Sequence, residues 1–121
     1  MATGPAMAAD WSCSDPDTLP QQGLNFCALQ DSKKADAELN QVWATLFPKL
    51  KTWDRDTIPQ WQGLPDAVLN AQRAWIAYRD AHCSAEGFRY RGGSIEPLIY
   101  HACRARVTRE RTLQLKDYLE N

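Results

Sequence analysis

Four cysteines and two histidines are the side chains in this sequence best equipped for chemistry. They stand at Cys13, Cys27, Cys83 and Cys103, with His82 adjoining Cys83 and His101 two residues before Cys103. Such a set suits either a zinc site or two disulfides. Zinc sites favour C-x₂₋₄-C or H-x₃₋₅-H spacing, and neither occurs here. Adjacent residues on a helix point about 100° apart, so His82 and Cys83 do not readily face one ion. The reading is therefore disulfides, with no metal and no cofactor. Four cysteines allow three connectivities, and spacing alone leaves all three open.

A second group could recognise a partner. Arg89, Tyr90, Arg91 and Ser94 surround Gly92-Gly93. Arginine and tyrosine are enriched at binding hot spots, and a guanidinium can pair with a carboxylate in a partner's cleft. Trp53, Asp54, Asp56 and Trp61 form a second candidate, whose acids could meet a basic surface. No G-x-S-x-G, H-E-x-x-H, P-loop or dinucleotide fingerprint is present, so the sequence reads as a binding protein, not an enzyme.

These residues need elements to hold them. Residues 20–47 carry Leu24, Ala28, Ala35, Leu39, Val42, Trp43 and Leu46 at helical spacing. Thr18 is the expected N-cap and Pro48 the expected stop. Residues 49–64 read as a loop or short helical turn, with Trp53 and Trp61 packed back on the body. A second helix spans 65–86 with a stripe at 68, 71, 75, 79 and 83, and a third opens at Pro97. The fold class is all-α: a small antiparallel bundle of three long helices plus short helical turns. In that arrangement Cys83, late in one helix, sits beside Cys103, early in the next. That makes 83–103 the natural pair and leaves 13–27.

The 121 residues fit one domain, read as 9–121. Residues 1–8 end in Ala6-Met7-Ala8, a small-x-small signal-peptidase form, and read as a processing remnant. No run approaches the roughly 20 apolar residues of a membrane span, so no membrane insertion is expected. A net charge of −1 gives no reason to expect nucleic acid as a partner. Charge is uneven, however. Residues 1–66 hold 5 basic and 9 acidic side chains, and residues 67–121 hold 9 and 6. The basic side chains of the last helix, Arg104, Arg106, Arg109, Arg111 and Lys116, read as a solvated face.

Polar residues also interrupt the apolar stripes: Asp36 and Asn40 on the first helix, Gln72, Arg79 and Asp80 on the second, Thr108 and Arg111 on the third. A buried charge must be paired and hydrogen-bonded. Asp36 or Asp80 is therefore expected to meet Arg79 or Arg111 between helices, as a structural network.

At these residues a resemblance enters. The blocks Ala35-Asp36-x-x-Leu39-Asn40, Ala71-Gln72-Arg73-x-Trp75-x-x-Tyr78-Arg79-Asp80-x-x-Cys83, Gly92-Gly93-Ser94 and Cys103-x-x-x-Val107-Thr108-x-x-Arg111-x-x-x-Leu115 resemble the LprI-type family over about residues 13–119. The resemblance implies a small secreted or periplasmic bacterial helical domain with intramolecular disulfides. It also implies lysozyme inhibition as the named activity and a lysozyme as the partner. A lysozyme cleft presents two carboxyl groups, and the 88–94 segment is the element that could enter it. The alternative is a cell-envelope structural or interaction module without inhibitory action.

Overall fold

A computed structural model describes residues 11–120; the processing remnant read at 1–8 lies outside the described residues. Three helices account for most of the chain: α1, Gln21–Asp56; α2, Leu64–Phe88; and α3, Glu96–Glu120. Two single 3₁₀ turns, Pro16–Thr18 and Pro59–Trp61, precede α1 and α2. No strand occurs among the described residues. α3 packs mainly on α1 and then on α2, while α2 barely touches α1.

The three helices run up, down, up. Asn25 near the start of α1 bonds Ser94 just before α3, and Asp36 lies beside Arg104. Leu46 and Leu50 on α1 meet Leu115 and Leu119 on α3. α1 and α3 are thus parallel, and α2 is antiparallel to both.

The buried positions of α1 alternate by threes and fours, through Ala28, Ser32, Ala35, Leu39, Leu46 and Leu50. That stripe explains the main departure from expectation: α1 does not stop at Pro48 but runs on to Asp56. Proline removes one backbone hydrogen bond, leaving the Ala44 carbonyl without its helical partner. Both Pro48 and Ala44 face solvent, so water can satisfy that carbonyl. Continuing the helix buries Leu50, which stabilises by roughly 2 kcal/mol. The start also differs. Pro20 is the N-cap, and the Thr18 hydroxyl donates to the Asp15 carbonyl at 2.8 Å instead of capping α1.

Gly23 lies in the first turn of α1. It is buried, and a Cβ there would lie 2.9 Å from the Trp11 ring. The absent side chain lets the indole lie against α1, where Cys13–Cys27 also fastens the N-terminal segment. The α1–α2 connection departs from expectation too. Trp53 and Trp61 are 61% and 71% exposed and do not pack back on the body. Polar bonds order this connection instead. The Gly63 N–H donates to Asp54 Oδ1 at 2.9 Å, and the Gln62 amide donates to the carbonyls of Asp54 and Thr57. Gly63 has φ +120°, a conformation that favours glycine.

The core has two parts. Leu39, Leu46, Leu50, Val68 and Leu115 form the larger, and Cys83, Cys103 and Val107 the smaller. Trp75 packs against both. Ala71 and Leu113 are exposed, so the apolar stripes of α2 and α3 are narrower than their sequences suggest.

Candidate functional site

The α2–α3 turn is built from hydrogen bonds between near neighbours. The amides of Tyr90 and Arg91 donate to the carbonyls of Gly87 and Phe88, at 2.9 and 3.0 Å. Gly93 N–H then donates to the Tyr90 carbonyl at 2.9 Å. Gly92 has φ +82°, which a residue with a Cβ would adopt only under strain. Its N–H donates to Glu96 Oε1 at 3.3 Å. From outside the hairpin, Asn25 Nδ2 donates to the Ser94 carbonyl at 2.9 Å. Below the turn, Cys83 and Cys103 are joined, with Cα atoms 5.5 Å apart and both residues fully buried.

The turn is consequently ordered before any partner arrives. It presents Arg89, Tyr90, Arg91 and the Ser94 side chain to solvent. The Arg91 guanidinium lies 4.8 Å from the centre of the Phe88 ring, itself exposed. Among the described residues, neither Arg89 nor Arg91 has a carboxylate within 4.0 Å. Asn25, Glu96 and Phe88 were not singled out in the sequence. Glu96 carried a signal, as an acid in the first turn of a helix four residues after Gly92; Asn25 carried none.

The arginines of α3 behave differently, and the expected solvated face is corrected. Arg106 meets Glu86 at 2.8 Å, and Arg109 grips Asp31 with two bonds of 2.8 and 2.9 Å. Arg104 reaches Asp36 and Asp80 at 3.6 and 3.7 Å. Asp31 and Asp36, in the acidic early part of the chain, thus pair with arginines of its basic later part. The Arg109 hydrogen bond holds the Asp31 carboxyl below its ordinary value; partial burial opposes this, and the charges of Arg109 and Lys34 reinforce it. Burial pushes Glu86 upward, but Arg106 and His82 outweigh it and leave the carboxyl lowered.

At the centre, Arg79 Nη1 donates to Asp36 Oδ1 at 3.1 Å and to Thr108 Oγ1 at 3.4 Å. Its Nε donates to Asp80 at 2.9 Å, and its guanidinium covers the Trp75 ring. Arg111 meets neither aspartate. Its Nε donates to Gln72 Oε1 at 2.8 Å and its Nη1 to Gln114 Oε1 at 3.0 Å. Asn40 is exposed and stands apart from this network. The network thus ties all three helices together, through Asp36 on α1, Arg79 on α2 and Thr108 on α3.

Two other possibilities are answered by geometry. Atoms of His82, Glu86 and Cys103 lie within 4.8 Å of one another, a spacing a metal ion could use. The Cys103 sulfur is bound to Cys83, however, and Glu86 Oε2 already meets His82 and Arg106. In the 53–61 segment, Asp54 is engaged by Gly63, which reduces its availability to a partner.

An uncharacterized protein of Rhizobium meliloti (strain 1021) is 39% identical over 122 residues, covering 98% of this chain and 88% of that protein. No solved structure matches. The family model described as "Lysozyme inhibitor LprI" matches residues 13–115, a span that includes both disulfides, the Arg79 network and the Gly-Gly turn. The chain therefore belongs to the LprI lysozyme inhibitor family.

Proposed function

We propose that the protein works outside the cytoplasm, secreted or periplasmic, as an inhibitor that blocks a lysozyme cleft with its α2–α3 turn. The observation carrying this reading is the pairing of order with unspent charge. Among the described residues, Arg89 and Arg91 stand without carboxylate partners on a turn fixed by Asn25, Glu96 and Cys83–Cys103. A pre-ordered segment loses little conformational entropy on binding. A guanidinium in the cleft can pair with one of its two carboxyl groups, with Tyr90 supplying aromatic contact. Two disulfides suit an oxidising compartment and support the placement outside the cytoplasm.

Purified protein mixed with c-, g- and i-type lysozymes, with cell-wall lysis followed by turbidity, tests this. Inhibition that rises with protein and saturates near one-to-one is expected for at least one type. Arg89→Glu and Arg91→Glu should each weaken it about thirtyfold or more, the scale of an interface hot spot. No inhibition at high molar excess over all three types would overturn the reading. An envelope interaction module, sought by pull-down from periplasm, would then be the function to pursue.

A further inference from the structure

The opposite end of the bundle carries a different feature. Between the last turns of α1 and α3 and the first turn of α2 lies an open groove of about 280 Å³. Leu46 and Leu50, nearly fully buried, form its floor. Leu64 and Leu119 flank it, and the more exposed Trp53 and Tyr118 form its rim. Along α1 it lies roughly 35 Å from Asn25, at 1.5 Å per residue. The turn and the groove are therefore separate surfaces.

Protein interiors are close-packed, and an unfilled apolar space sacrifices dispersion contacts. Here the unfilled space opens to solvent from the floor of the main core. Among the described residues, its one charged lining residue is Lys49. Among the described residues Lys49 has no carboxylate within 4.0 Å, whereas its neighbour Lys51 lies over the Phe47 ring at 5.0 Å. No acidic side chain among the described residues lines the groove. Apolar walls with one unanswered cation at the edge match an apolar chain ending in an anion. The volume is just below the ~300–1,000 Å³ range of ligand pockets, so it suits one alkyl chain and not two.

We propose that this groove binds a single-chain anionic amphiphile of the medium-chain fatty-acid class, its alkyl chain on Leu46 and Leu50 and its carboxylate at Lys49. This site does not depend on the proposed lysozyme contact.

Hexanoate, octanoate and decanoate, each below its micellar concentration, are titrated into the full chain by calorimetry and methyl NMR. Saturable one-to-one binding is expected, tightening about fourfold per added methylene. The methyl signals of Leu46, Leu50, Leu64 and Leu119 should shift together. Lys49→Glu, at an exposed position without a carboxylate partner among the described residues, should fold normally and bind decanoate about tenfold more weakly, as loss of one charge-assisted contact implies. Decyltrimethylammonium should bind the parent protein weakly, and Arg91→Glu should leave decanoate binding unchanged. Equal binding of the cationic and anionic chains, no binding of decanoate, or insensitivity to Lys49→Glu would overturn the proposal. So would methyl shifts that grow with protein concentration alone, because they would assign the groove to a second copy of the chain.

Discussion

Arg111 is a buried guanidinium, 9% exposed, answered among the described residues only by amide oxygens of Gln72 and Gln114. Burial lowers its pKa and the charge of Tyr118 opposes that shift. Removing one partner of such a pair costs more than removing both. Gln72→Ala should cost about 2–3 kcal/mol in urea unfolding. The double variant Gln72→Leu/Arg111→Leu should come within about 1 kcal/mol of the parent. Additive losses would contradict the coupling. His101 provides a second residue-scale test. Burial and then the nearby Arg104 lower its pKa from 6.5, and Nδ1 is buried without a hydrogen-bond partner. The unfolded chain thus binds this proton more readily than the folded one. Stability from His101 is present above pH 6.5 and declines as pH falls through the lowered value. Asp31 and Glu86, lowered from 3.8 and 4.5, add a second loss at more acidic pH. Melting temperature against pH should therefore fall in two stages, and His101→Gln should remove the upper one.

Helix α1 shows what local signals do and do not predict. The existence of all three helices, their antiparallel hairpin and the 83–103 pairing were legible from apolar spacing and glycine placement. The extent of α1 was not. Pro48 is a strong local stop, and only the tertiary burial of Leu50 beyond it, with a solvated Ala44 carbonyl, overrides it. The exposed indoles were misread for a related reason. Trp53 and Trp61 promised packing, but the connection is ordered by Asp54, Gln62 and Gly63. The turn candidates were visible as a cluster of types, while their support from Asn25 depends on a contact 69 residues away. Pro48→Ala restores an exposed helical hydrogen bond and should raise stability by about 1–3 kcal/mol. Chemical denaturation would read this, and an unchanged midpoint would count against a continuous α1 in solution.

At the scale of the molecule, helix pairing is also charge pairing. Asp31 and Asp36 of α1 meet arginines of α3, which draws together a chain whose two parts carry opposite net charge. The parallel α1–α3 contact is the larger interface, and α2 is held to the rest chiefly through α3 and the 83–103 bridge. Cys83→Ser/Cys103→Ser should lower stability by about 3 kcal/mol. If the turn is the inhibitory element, that variant should also lose inhibition at temperatures where circular dichroism still reports a folded bundle. Full inhibition by such a variant would separate the staple from the activity.

Both disulfides lie in the half of the bundle nearer the turn, and the leucine end has none. Resistance to opening is therefore graded along the length of the molecule. Backbone amides beside the cystines should exchange with deuterated solvent only through rare, near-global events, whereas those after Leu50 and after Leu115 should open by fraying. The protein then resembles a clamp with a fixed hinge and yielding jaws: rigid at the turn proposed to meet a partner, and more readily opened at the end that carries the proposed groove.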